Sequence, residues 1–395
     1  MEKRFTLRFV IALVLLTSAL SCLILSLLFL LRMNTAPGRS EDRSDFSELL
    51  NIIATRYIGA HDIGEVSNAA MRAAVDSLDD QWSYFMTPEE YANYLESSDN
   101  RYSGIGVEVS IDEDIGGIKV LWVYPGSGAN EAGIVVGDII TAVDGESIRG
   151  LQLTEVRELL RRPIDDTVLL TVIRANGAHE NLTVVYSVIF TDPVSYEMIS
   201  GTVGYVSVRN FETGAADGFI SAVNTLIEQG ALSFIYDVRS NNGGKVTEMT
   251  QILDFLLPEG EIFISVDRSG DEQITTSDAD FLDMPAVVLV NSHSYSAAEY
   301  FTAMLSEYEY ALTVGEQTTG KNRMQNTIKL PGGGAVHIST GEYLTKNRVS
   351  LYDTGGFTPD FIVPLSDEDI ALYRSGGLDL LLDPQIQKAL LLLED

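Results

Sequence analysis

Different rhythms of apolar and polar residues follow one another along this chain, and each predicts a different kind of element. From Phe9 to Leu31 there are 23 residues without a charge. As a helix rising about 1.5 Å per residue, such a run crosses the roughly 30 Å hydrocarbon layer of a bilayer. Lys3, Arg4 and Arg8 precede it and predict a cytoplasmic amino end, with the bulk of the chain extracytoplasmic. A cleaved signal, or a lipoprotein signal at Cys22, would have a shorter apolar core, whereas Leu23 to Leu31 prolongs this one. Residues 1–33 are therefore expected to be a retained signal anchor, a single N-terminal transmembrane helix in the cell membrane.

A polar linker from Asn34 to Arg43 leads into a second rhythm. Phe46, Leu49, Leu50 and Ile53, then Ala70, Met71, Ala74 and Leu78, recur at steps of three and four, which predicts helices with a buried face. Thr87 and Pro88 suit the N-cap and first position of a further helix. Linker and helices make up residues 34–100.

Over residues 101–188 the pattern shortens to strands: 106–109, 118–123, 139–143 and 168–174, with one helix near 154–161. This stretch resembles a PDZ domain in Ser103-Gly104-Ile105-Gly106-Val107, in Pro125-Gly126-Ser127-Gly128-Ala129, and in Gly137-Asp138-Ile139-Ile140 with Asp144-Gly145. Such a domain takes up a peptide as an added strand, and the resemblance implies that the backbone from Gly104 through Ile105 and Gly106 to Val107 captures its terminal carboxylate.

Residues 189–395 alternate strands (204–208, 233–239, 286–291, 312–315) with helices (215–229, 246–257, 297–308), the pattern of an α/β core with crossover helices. The whole reads as an α+β protein with an N-terminal helical segment and an inserted PDZ domain.

Charge and cysteine content narrow the partners. The chain carries 26 basic and 57 acidic residues, a net charge of −31. Without residues 1–33, which hold Lys3, Arg4, Arg8, Arg32 and Glu2, the balance is 22 to 56. Nucleic acid is a poor partner for that surface. The sole cysteine lies in the anchor, so no intrachain disulfide and no cysteine-based metal site can form.

Hydrolysis of a peptide bond needs a nucleophile, a base and donors for the developing oxyanion. Of the four histidines, only His293 lies close to a candidate serine, and nothing marks it as a base. Ser296, in Asn291-Ser292-His293-Ser294-Tyr295-Ser296-Ala297-Ala298-Glu299, stands at a strand-to-helix junction where the next N–H groups are unpaired. Lys321 follows in Gly320-Lys321-Asn322-Arg323-Met324-Gln325. With Asp237-Val238-Arg239-Ser240-Asn241-Asn242-Gly243-Gly244 upstream and Asp383-Pro384-Gln385 near the end, these motifs resemble the carboxy-terminal processing, or tail-specific, peptidases over almost the whole chain after the anchor.

The resemblance implies a crotonase-like protease core in which Ser296 is the nucleophile, Lys321 the general base and Gln325 the group that orients the lysine. It also implies an oxyanion hole made by the N–H of Ala297 with one glycine of the Gly243-Gly244 pair, Gly243 being preferred. Asp237 and Arg239 are expected to brace the turn. His293, Tyr295, Ala298, Asn242 and Asn322-Arg323 depart from the usual family residues and alter the substrate pocket. No cofactor or metal is implied. Partners should be proteins or peptides with exposed carboxyl termini and the membrane, with homo-oligomers left open. The rival reading is a membrane-tethered PDZ adaptor whose core has lost activity, but such a core has no need of serine, lysine and glutamine together.

Overall fold

The computed structural model describes residues 41–112, 114–374 and 378–394. The expected anchor over residues 1–33 lies outside them, and among the described residues no helix is long and apolar enough to cross a membrane. The chain divides into two compact units, residues 1–74 and 75–395.

In the first unit, α1 (Glu41–Arg56) is followed by α2 (Ile63–Asp76), which runs on into the second. The helical spacing produced helices, but the face was expected to be buried and it is not. Phe46 and Leu49 are exposed, Leu50, Ile53, Ala70 and Met71 are half-buried, and Leu78 lies exposed in the turn after α2. Periodicity identifies the side of a helix that can be covered, not whether anything covers it.

The second unit, which starts at residue 75 within α2, continues through a turn into β1 (Tyr84–Met86). Helix α3 (Pro88–Ser98) starts as its sequence suggests: the Glu90 N–H donates to Thr87 Oγ1, and the Glu90 carboxylate accepts from the Thr87 N–H at 2.8 Å.

Next comes an inserted β-domain, entered through β2 (Arg101–Gly104) and followed by β3 (Val107–Asp112), β4 (Gly117–Val123), a single helical turn α4 (Gly128–Glu131), β5 (Ile139–Val143), β6 (Glu146–Ser147), α5 (Leu153–Leu159), β7 (Thr167–Ile173) and β8 (His179–Val185). It is left through β9 (Ser187–Phe190), which pairs antiparallel with β2, so entry and exit form one two-stranded ribbon. The sheet order is β3-β4-β5-β7-β8, around a core that includes Ile118, Val120, Ile140, Leu170 and Val184.

The remaining chain builds two sheets. One contains β10 (Val194–Ile199), β11 (Val203–Val208), β12 (Ser233–Asp237), β15 (Ala286–Val290), β16 (Ala311–Gly315) and β19 (Phe361–Ile362), in that order across the sheet. All its pairs but β10–β11 are parallel. Helices α6 (Ala215–Glu228), α7 (Val246–Leu256) and α8 (Ala297–Glu307) follow β11, β12 and β15 and bury Phe219, Leu226, Ile252, Leu256, Phe301 and Met304. The central strands read as unbroken apolar runs because helices cover them.

The other sheet is antiparallel: β13 (Gly260–Asp267), β14 (Glu272–Ser277) and β18 (Ala335–Leu344), with β1 and β17 (Arg323–Lys329) both on β18. Helix α9 (Asp367–Arg374) and α10 (Pro384–Glu394) close the chain.

Ser296, Gly243 and Lys321 come together because each follows the carboxyl end of a strand, β15, β12 and β16 respectively, and these are neighbours in the parallel sheet. A buried lattice fixes the end of β12. Arg239 donates to both Asp237 oxygens, to Asp383 at 2.6 Å and to Gln385 at 2.8 Å, while Tyr205 donates to Asp237 at 2.8 Å. Asp237 and Arg239 therefore brace the turn by tying it to the start of α10.

Candidate active site

The loop after β15 delivers Ser296 as the residue before α8, with φ 60° and ψ −123°, a conformation that L side chains rarely adopt. Strain of this kind turns the hydroxyl outward while the next N–H groups remain unpaired at the helix start. Ala297, the first residue of α8, has an N–H with no hydrogen bond among the described residues.

Glu299, one turn into α8, is fully buried and accepts four hydrogen bonds. Its Oε2 accepts from the N–H of Ser296 at 3.0 Å and from the N–H of Lys321 at 2.9 Å, and its Oε1 accepts from Thr318 Oγ1 and the Gly320 N–H. One carboxylate therefore stands between the main chains of the candidate nucleophile and base. Burial pushes the Glu299 carboxyl above its ordinary range, and the four donors oppose that. The sequence contained the signal, a glutamate at the third position of the helix, but an ordinary capping residue looks the same.

Lys321 is buried and its amine is lowered to about 8, first by desolvation, against the raising influence of Asp80 and Glu299. Its Nζ sits 4.5 Å from the Trp82 ring centre and 6.0 Å from that of Tyr295. The main chain after it is also held: the Tyr343 hydroxyl donates to the Lys321 carbonyl, and the Tyr343 N–H donates to that of Asn322 at 2.9 Å. Trp82 and Tyr343 were not singled out from the sequence, since nothing local connects either to the lysine.

Gln325 lines the same cavity without bonding to the lysine. Its amide donates at 3.0 Å both to the Arg323 carbonyl and to Ser339 Oγ. The physical reason is that β17 begins at Arg323, and a bulge between Met324 and Gln325 sets Gln325 opposite Ser339 on β18.

Gly243 is packed against the serine: a Cβ there would lie 2.8 Å from Ser296 Cβ and 3.0 Å from the Ala297 nitrogen, and its φ of 92° suits only glycine. Its N–H donates to Asn241 Oδ1 at 2.8 Å, whereas the N–H of Gly244 makes no hydrogen bond among the described residues.

Ser296, Ala297, Lys321, Gln325, Tyr343 and Gly244 line a cavity of about 680 Å³ that Trp82, Tyr295, Phe263, Tyr300 and Met324 also line. Of the histidines, only His337 reaches it. Burial, with a contribution from the Lys321 charge, lowers this imidazole to about 4, and its Nδ1 shares a hydrogen bond with Thr327 Oγ1. An imidazole so weakly basic is a poor proton acceptor near neutrality. His293 is exposed and outside the cavity. Among the described residues no group of histidine, cysteine and carboxylate side chains could hold a metal ion.

In the inserted domain, Gly104, Ile105 and Gly106 are buried and Val107 is half-buried. The N–H groups of Ile105 and Gly106 make no hydrogen bond among the described residues, while their carbonyls accept from Ala129 and Tyr124. A Cβ on Gly106, with φ 82°, would meet Ser127 Cβ at 2.2 Å. The Ile105 side chain belongs to the domain core.

Residues 202–363 match the model of peptidase family S41, and residues 119–174 match that of a PDZ domain. A carboxyl-terminal-processing protease of Picosynechococcus sp. is 30% identical over 78% of this chain and 77% of its own length. One from Synechocystis sp. is 29% identical over 76% and 71% respectively. In structure the chain is similar to a Bacteroides fragilis protein assigned to the S41 proteases, with TM-score 0.57 and 20% identity over 86% of this chain and 92% of that one, a likeness of fold.

Proposed function

This chain belongs to peptidase family S41 with the carboxyl-terminal-processing proteases, and from that premise we propose that Ser296 and Lys321 form its catalytic dyad. It is a serine-type peptidase with a PDZ domain, acting on protein substrates. The observation that supports the dyad is Glu299, whose one oxygen accepts from the main-chain N–H of both residues and so ties the two backbones together.

Lys321, neutral, takes the proton from Ser296 Oγ as the oxygen attacks the scissile carbonyl, and the ammonium then protonates the leaving amine. The oxyanion is met by the Ala297 N–H and by the Gly243-Gly244 turn. Gly243, which touches Ser296, must release its N–H from Asn241 to donate, while that of Gly244 is free of any partner among the described residues. Gln325 acts on the cavity wall, and its pairing with Ser339 would have to be exchanged for it to reach the lysine. The carboxyl terminus of the substrate is captured by the backbone between Gly104 and Val107.

The pH profile tests the base. Only neutral Lys321 works, so kcat/KM for a tail-bearing peptide should be level above about pH 8 and fall tenfold per unit below it. A profile governed by a group near pH 4 would point to His337 instead.

Residues 1–33 are proposed as the membrane anchor, with the protease extracytoplasmic, on the strength of the uncharged run from Phe9 to Leu31. Extraction of the native protein should need detergent. Release from membranes by alkaline carbonate alone would contradict the anchor.

A further inference from the structure

Lys321 Nζ makes no hydrogen bond among the described residues; what it meets is aromatic. The Trp82 ring lies under it at 4.5 Å, Tyr295 stands at 6.0 Å, and the two rings are 5.6 Å apart. The main chain that carries the indole is itself fixed. The Trp82 main-chain N–H donates to Asp80 Oδ1, Ser83 Oγ donates to Asp80 Oδ2 at 2.6 Å, and the Ser339 N–H on β18 donates to Ser83 Oγ at 2.9 Å. The turn that carries Trp82 is thus pinned to the sheet beside the lysine.

We propose that Trp82 is the positioning residue of Lys321, its indole face seating the side chain beside Ser296 and covering it from water. This rests on Lys321 being the base. An aromatic face attracts an ammonium but not a neutral amine, and its bulk keeps water from either. The flanking groups do not supply the seat. Asp80 is engaged by Ser83, Trp82 and Arg323, Glu299 by main-chain N–H groups, and the Tyr343 hydroxyl by the Lys321 carbonyl. Tyr295 is the more distant ring, and His337 is neutral above about pH 4.

The chain has two tryptophans, Trp82 and the exposed Trp122 of β4, so Trp122→Phe in the full-length protein leaves Trp82 as the only indole. Its emission should follow a single ionisation near pH 8, with the midpoint of the kcat/KM limb, and this transition should vanish in Lys321→Met. The tyrosines near it ionise above 10, outside that window. Trp82→Leu, which keeps apolar cover and loses the π face, should lower kcat at least tenfold with KM unchanged and move the limb to lower pH by roughly half a unit. Trp82→Phe should restore most of both. Emission flat through pH 8 while Lys321→Met is inactive overturns the seat and leaves the dyad standing, as does a Trp82→Leu protein with the parent's kcat and limb. Normal cleavage by Lys321→Met overturns both.

Discussion

Replacing Lys321 by alanine should lower kcat by at least about a thousandfold while leaving the fold and tail binding intact. A positioned general base contributes on the order of 10² to 10⁴ in rate, and removing one member of a nucleophile–base pair costs up to about 10⁶. The buried site makes the lysine suited to the task. With its amine at about 8, roughly a tenth is neutral at pH 7, against about one in a few thousand for a free lysine near 10.4. Lys321→Arg should be equally inactive, because a guanidinium keeps its proton at any working pH. Single-turnover kinetics with a tail-bearing peptide, together with the peptide's Kd, checks this. A variant that loses affinity and keeps its chemical rate would take Lys321 out of the mechanism.

Glu299→Gln should cost about a hundredfold in kcat at little cost in KM. The four partners of Glu299 are all donors, and an amide offers only one oxygen to them. Its NH₂ would face main-chain N–H groups, each left unsatisfied at roughly 1–3 kcal/mol. The chain relieves this by moving the 318–321 loop away from the start of α8, and a displacement of about 1 Å between reacting groups is enough for a loss on the order of a hundredfold. The Tm should fall as well. Unchanged kcat with a lowered Tm would make Glu299 a fold-stabilising residue alone.

Much of this arrangement was legible in the sequence, and what was not follows a physical pattern. Strands β12, β15 and β16 read clearly because they are short apolar runs bounded by turns, and the chemistry sits just beyond them. The antiparallel sheet of β13, β14, β17 and β18 was largely missed. Glu272–Ser277 and Arg323–Lys329 are mostly exposed and mix polar with apolar residues, so no strong alternation shows. That sheet brings Trp82, through β1 on β18, and Tyr343 to the lysine. Contacts of this kind are made by tertiary pairing and leave no local signature. Gln325 shows the opposite limit: its spacing from Lys321 was readable, but a bulge decides where its amide points. The helical face around Phe46 and Leu49 was read as buried because periodicity carries no information about a partner.

The most direct test of the dyad is incubation of the full-length protein, and of its Ser296→Ala and Lys321→Ala variants, with an unstructured protein ending in an apolar carboxyl terminus, the products being identified by mass spectrometry. The parent should release fragments cut near that terminus, while both variants bind the substrate and leave it whole. Cleavage at the same bonds by the Ser296→Ala protein would contradict the account.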